Sequence, residues 1–278
     1  MIRFAAIYWD PKPEIFVLPI INWPILWYGV LFALGFAVGF PVFVGILTRF
    51  LGKSEKKKAV AITDRLTLYM IIGTVIGARV GHFLFYEHPE NYLNDPFEIF
   101  RIWEGGLASH GAAIGIIIAL VIFSYRIAPI APTLNWIRLL DFVCVPTAFA
   151  AVCIRVGNFI NQEILGTPSS LPWAVVFGHP ADGSMPVPRH PVQIYEALFY
   201  LAVFILLWRL TFVRSFLLRR GKLIGLFLIL VFGFRFFVEF IKVEQSHLIT
   251  VSTLTMGQIL SIPAVLAGLF FFQFERGK

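Results

Sequence analysis

Charge is scarce in this sequence. Only 14% of its 278 residues are Asp, Glu, Lys or Arg, where a soluble domain normally carries about 25%. With 58% hydrophobic residues and a mean hydropathy of +0.81, that deficit excludes an ordinary soluble fold. Cysteine is nearly missing too. Cys144 and Cys153 stand in one apolar run, where a helix would hold them about 13 Å apart, beyond the reach of a disulfide. They read as small buried hydrophobes with no redox or metal role. The six histidines form no zinc pattern: HExxH and CxxC are missing, as is a phosphate-binding Walker loop. Ser109 beside His110 is not a GxSxG elbow, and neighbouring side chains on a helix diverge, which argues against a serine intramembrane protease. Solenoid repeats and inverted pairs of spans are not visible. The N-terminus lacks the basic start and short apolar core of a cleavable signal.

What the chain has in abundance is long apolar runs. A spanning helix needs roughly 20 mostly apolar residues, and the candidates fall at about 24–47, 66–86, 107–125, 139–157, 192–210, 223–241 and 256–274. The expected fold is an all-α polytopic membrane protein of about seven transmembrane helices. Residues 1–278 read as one transmembrane domain. Two connections are more than links. Residues 87–106 are acidic and broken by Pro89 and Pro96. Residues 164–191, rich in proline and glycine, read as a small cap on the outer face inserted in the domain, with WAVVF (173–177) as a short strand.

The net charge of +7 is a topology signal. One set of alternate connections holds Arg49, Lys53, Lys56, Lys57, Lys58, Arg65, Arg126, Arg138, Arg209, Arg214, Arg219, Arg220, Lys222, Arg276 and Lys278; the other holds only Arg3, Lys12, Arg101, Arg155, Arg189 and Lys242. The positive-inside rule then puts the C-terminus in the cytoplasm and the N-terminus outside. Nucleic acid is not an expected partner.

Charged groups within spans cost roughly 2.5–3.5 kcal/mol each near the bilayer centre, and so mark candidate sites. The densest group is RVGNFINQEILG (155–166), with Arg155, Asn158, Asn161, Glu163 and Gly166 at the outer end of span four. A guanidinium's rigid fork of donors suits a phosphate diester, and Asn158 lies about one turn away; the alternative is a polar helix end meeting water. His110, among glycines in GGLASHG (105–111), is either a base near neutral pH or a histidine satisfied at a helix start. Arg235, Glu239 and Lys242 share one face of span six. They can be an internal ion pair, a second phosphate-facing cation, or both. Arg79, His82 and Tyr86 share a face of span two, where snorkelling is the simpler reading. RHPVQIYEA (189–197), including His190, opens span five, and Tyr28 early in span one reads alone as an interfacial anchor. Glycine stripes at Gly73, Gly77, Gly81 and at Gly35, Gly39 permit close helix packing.

Taken in order, LWYG (26–29), GARVGHFLFY (77–86), GGLASHG, RVGNFINQEILG, RHPVQIYEA, RFFVEFIK (235–242) and MGQILSIP (256–263) resemble the bacterial prolipoprotein diacylglyceryl transferases, over about residues 22–275. Ile154 stands where that family usually has Gly, Ala112 where a second Gly is common, and Lys242 replaces a frequent Arg. The resemblance implies an inner-membrane enzyme that moves the diacylglyceryl group of phosphatidylglycerol onto the lipobox cysteine of a preprolipoprotein signal peptide, leaving glycerol phosphate. It implies substrate drawn from the membrane lipid, with no cofactor: neither a metal nor a nucleotide is needed. Arg155 and Arg235 are then expected on the phosphate, with Asn158 and Glu239 beside them. His110 is expected as base or thiolate stabiliser. Tyr28 belongs in the site, with Asn161, Glu163, Gly166, Arg79 and His190 in support. The rival class is a transporter or lipid flippase using the same charges.

Overall fold

A computed structural model of the chain describes residues 7–20, 22–86, 97, 101, 106, 108–244 and 254–274. Among them, seven helices are long and apolar enough to cross a membrane. They are α1 (Trp27–Leu51), α2 (Lys56–Tyr86), α3 (Ser109–Ile127), α4 (Trp136–Ile160), α5 (Val192–Leu210), α7 (Lys222–Val238) and α8 (Met256–Gln273); a single turn, α6 (Arg214–Leu218), lies between α5 and α7. The all-α multi-span expectation is met. The acidic 87–106 connection lies almost wholly outside the described residues.

The expected helix limits shift where hydropathy and helix propensity part company. α2 begins at Lys56 rather than near 66, because lysine and alanine are good helix formers even where charge keeps them out of hydrocarbon. Its 31 residues span about 46 Å, longer than the roughly 30 Å apolar core. α1 begins at Trp27 rather than near 24. The four residues before it, Trp23–Leu26 (β3), pair antiparallel with Glu14–Leu18 (β2), Pro24 opposite Val17. A proline that cannot donate is tolerated in such a two-stranded edge. Nothing in the apolar periodicity separated this hairpin from the span it precedes.

The chain divides into two compact units, residues 44–142 and the remainder. In the first, α2 packs on α3 through glycine on both sides. A Cβ at Gly77 would sit 2.8 Å from Gly115 Cα, and one at Gly81 2.6 Å from Gly111 Cα. Only backbone-to-backbone approach fits there, as the stripe on α2 predicts, and its partners on α3 are Gly111 and Gly115. In the second unit, Gly35 and Gly39 of α1 face Ala150 and Pro146 of α4, each 3.2 Å from a hypothetical Cβ. α5 meets α7 through Phe199 stacked on Phe234, ring centroids 3.9 Å apart. α7 and α8 cross at Gly225 and Gly268, and Thr255 and Gln258 close a capping box at the start of α8.

The second unit also carries a small sheet of strand order β1-β4-β5. β4 (Val175–Phe177) lies within the expected WAVVF strand. It pairs antiparallel with β5 (Pro188–Arg189) and parallel with β1 (Ile7–Trp9). Leu165, Val175 and Phe177 form its core with Trp9 and Phe159. Trp9 stacks on Phe159 at 4.6 Å and donates its indole N–H to the Phe159 carbonyl. The residues after α4 are therefore held by the N-terminal strand as well as by their own turns, a long-range pairing that the sequence did not announce.

Candidate active site

α4 delivers the polar group. Its last turns carry Arg155 and Asn158, and the chain then turns sharply through Gln162 and Ile164, both at positive φ (55° and 56°). A β-branched residue there is strained by about 1–3 kcal/mol. Hydrogen bonds hold the turn: Glu163 N–H donates to the Asn158 carbonyl at 2.9 Å, the Gln193 amide donates to the Glu163 carbonyl at 2.6 Å, and His179 N–H donates to Gln162 Oε1 at 2.7 Å. The consequence is that the Glu163 side chain folds back. Asn158 Nδ2 and Asn161 Nδ2 each donate to it, at 2.8 and 3.0 Å. Asn158 Oδ1 in turn accepts from Arg155 Nη1 at 3.1 Å. Ile154, for its part, sits inside regular α4 helix.

Arg155 reaches further. Its Nε lies 3.0 Å from Glu196 Oε2, an ion pair whose alignment falls short of a hydrogen bond. Glu196 is completely buried, one turn into α5. Its other oxygen accepts from Lys242 Nζ at 2.9 Å and from the Tyr200 hydroxyl at 3.2 Å. Lys242 also donates to Glu239 Oε1 at 3.3 Å, and the same oxygen lies 3.8 Å from Arg235 Nε. Lys242 is held in place because residues 241–243 run beside 165–167: Thr167 N–H donates to the Ile241 carbonyl and Val243 N–H to the Leu165 carbonyl, each at 2.9 Å. The result is one continuous chain, Arg155–Glu196–Lys242–Glu239–Arg235, alternating in sign and ending at both sides on an arginine. Taking such charges out of water costs several kcal/mol per ion, and alternation with close contact offsets it.

Tyr28, at the start of α1, lies against Gly157, where a Cβ would stand 2.7 Å from Tyr28 Cδ2. It therefore abuts the turn of α4 that bears Arg155 and Asn158. Gly166 supports the same region: its backbone bridges to Lys242, and it packs so closely on the His190 backbone that no side chain fits. The His190 ring nitrogen Nδ1 lies 3.4 Å from the Tyr195 hydroxyl. Arg79 and His110 belong to the other unit. Arg79 is buried, stacked over Phe83 at 4.6 Å and donating to the Gly106 carbonyl at 3.3 Å. His110 opens α3 with its ring edge-on to Phe85 at 5.4 Å. Among the described residues no group of His, Cys, Asp and Glu has the composition of a metal site.

Glu196 is not singled out in the sequence reading, where it stands only within RHPVQIYEA. The signal that marks it is its setting: a carboxylate inside IYEALFY, with apolar residues on both sides, carries the same insertion cost that singles out Arg235.

These features define a multi-pass helical membrane protein with a buried, charge-alternating polar centre. The model of the prolipoprotein diacylglyceryl transferase family matches residues 15–274. A phosphatidylglycerol–prolipoprotein diacylglyceryl transferase of Porphyromonas gingivalis is 43% identical over 96% of this chain and 93% of its own length. That of Tolumonas auensis is 41% identical over 95% of each chain, and that of Protochlamydia amoebophila 36% identical over 95% of this chain and 94% of its own. The chain belongs to the prolipoprotein diacylglyceryl transferase family.

Proposed function

We propose that this protein transfers the diacylglyceryl group of phosphatidylglycerol to the lipobox cysteine of a preprolipoprotein, and that Arg155 and Arg235 hold the lipid phosphate. The observation that carries the site assignment is the ion chain with an arginine at each end. The cysteine sulfur attacks the glycerol carbon that bears the phosphate ester. A carbon–sulfur bond forms, the carbon–oxygen bond breaks, and its electron pair leaves on the phosphate oxygen. A phosphodiester of charge −1 thereby becomes a glycerol phosphate approaching −2. A second cation is worth more to that transition state than to the bound lipid, which is the condition for catalysis rather than tight binding. A fork of guanidinium donors suits the phosphate geometry.

The thiol must lose its proton to attack. His110 is the candidate base or thiolate stabiliser on the strength of its imidazole and of the motif around it. Asn158, oriented by Glu163, positions the head group, and Glu239 holds Arg235. Tyr28, Asn161, Gly166, Arg79 and His190 act in support. In this reading residues 1–278 are one domain with 164–191 inserted as a cap on the periplasmic face of the bacterial inner membrane. The lysine and arginine asymmetry supports a periplasmic N-terminus and a cytoplasmic C-terminus.

The test is purified protein with phosphatidylglycerol vesicles and a lipobox peptide, followed by mass analysis of the cysteine. A diacylglyceryl adduct is expected, and none on a Cys→Ala peptide; lipid movement without adduct would instead mark a flippase. Arg155→Ala should abolish transfer while the protein still inserts. Full activity in that variant would overturn the site.

A further inference from the structure

We infer that Glu196 and Lys242 form a buried charge pair that sets both the spacing and the net charge of the two phosphate-binding arginines, so that Glu196 is a positioning residue for the transfer. The inference rests on the function proposed above.

Three observations carry it. First, Glu196 is fully buried and Lys242 nearly so, with Nζ 2.9 Å from Oε1. Neither is a surface pair of little consequence. Second, the pair sits in the middle of the alternating chain. Glu196 touches Arg155 from α4 at 3.0 Å, while Lys242 touches Glu239 at 3.3 Å, which lies against Arg235. Each arginine is therefore fixed through a carboxylate, and the two carboxylates are joined by one ammonium. Third, the five groups sum to one positive charge. Glu163 lies one amide away, its oxygens taken by Asn158 and Asn161. Whatever the absolute potential, losing the Glu196 charge raises it by one unit and losing the Lys242 charge lowers it by one.

That sign difference separates a charge-setting role from a merely structural one. A packing role would push both variants the same way. In Glu196→Gln the site gains positive charge, so glycerol phosphate should inhibit about tenfold more tightly and kcat should fall as product release slows. In Lys242→Gln the KM for phosphatidylglycerol and the inhibition constant of glycerol phosphate should both rise about tenfold. The double variant restores the charge, and both constants should return to within about twofold of the parent.

Removing one member of a buried pair can be strongly destabilising, so a charge-retaining variant accompanies these. Glu196→Asp keeps the charge but withdraws it from Arg155 by one methylene. It should lower kcat about tenfold or more while leaving the inhibition constant within about twofold. Should the single neutral variants fail to accumulate in the membrane, unaltered kcat in Glu196→Asp overturns the inference, and a selective fall in kcat supports it. Where they do accumulate, shifts of the same sign in both, or a double variant that does not recover, overturn it. A parent protein that forms no diacylglyceryl adduct would sink the proposed function itself, a separate and distinguishable result.

Discussion

Gly157→Ala puts the packing of the site to a test in which two effects pull in opposite directions. Gly157 lies in α4 between Arg155 and Asn158. Replacing an interior helical glycine with alanine ordinarily gains about 1 kcal/mol from reduced backbone entropy. Here the new methyl would meet the Tyr28 ring at 2.7, 3.2 and 3.4 Å from Cδ2, Cε2 and Cγ. Comfortable carbon contacts lie at about 3.5–4.0 Å, so the ring edge at Cδ2 must retreat by roughly 1 Å. Overpacking of that kind costs about 1–3 kcal/mol. The net expectation is a lower melting temperature in detergent. Tyr28 and the α4 turn share the displacement, and a misplacement of about 1 Å costs on the order of 10²-fold in rate. The transfer assay should therefore show kcat down by about that factor. Gly233→Ala on α7, where nothing lies within 4 Å of the new Cβ, is the control that should keep or raise the melting temperature. A Gly157→Ala protein as stable and as active as its parent would refute the reasoning.

Most of the helical architecture was legible because a membrane helix writes itself twice, as an apolar run of fixed length and as a glycine stripe where it meets a neighbour. The limits were less legible at α2 and α1, where the helix or the strand continues on residues whose hydropathy says the opposite. The arginines and amides of the site stood out for their insertion cost. What the sequence could not show was pairing across distance. Trp9 on Phe159, Lys242 beside Gly166 and Glu196 between two cations are separated along the chain by 150, 76 and at least 41 residues. No local period records them. Glu196 shows the cost of this: its type and setting were visible, but its importance lies in the two cations that tertiary structure brings to it.

Two further perturbations probe the scaffold on either side of the chemistry. Gly77→Val should force α2 from α3, since even a Cβ there lies 2.8 Å from Gly115 Cα; a loss of about 1–3 kcal/mol is expected by thermal melting, and undiminished stability would show that the helices are not in backbone contact. The remaining prediction concerns acid. Asp10 follows β1 directly and its carboxylate accepts from His179 Nδ1 at 2.6 Å and from Gln162 Nε2 at 3.0 Å. Those contacts, His179 first and Gln162 second, hold the Asp10 carboxyl below its ordinary value. A carboxyl depressed in the folded state adds stability that is complete above its unfolded pKa and is lost as the pH falls through the lower, folded one. The N-terminal strand should consequently loosen only in strong acid, not near neutrality. Amide protection factors at Ile7 and Gly178, whose N–H groups donate to the Ala174 and Trp9 carbonyls, should fall between about pH 4 and the folded value. His179→Ala removes the largest cause of the shift, so the titrating carboxyl returns toward its ordinary pKa and the acid-linked part of the protection shrinks. Protection that declines instead as pH rises would assign the linkage to a group other than Asp10.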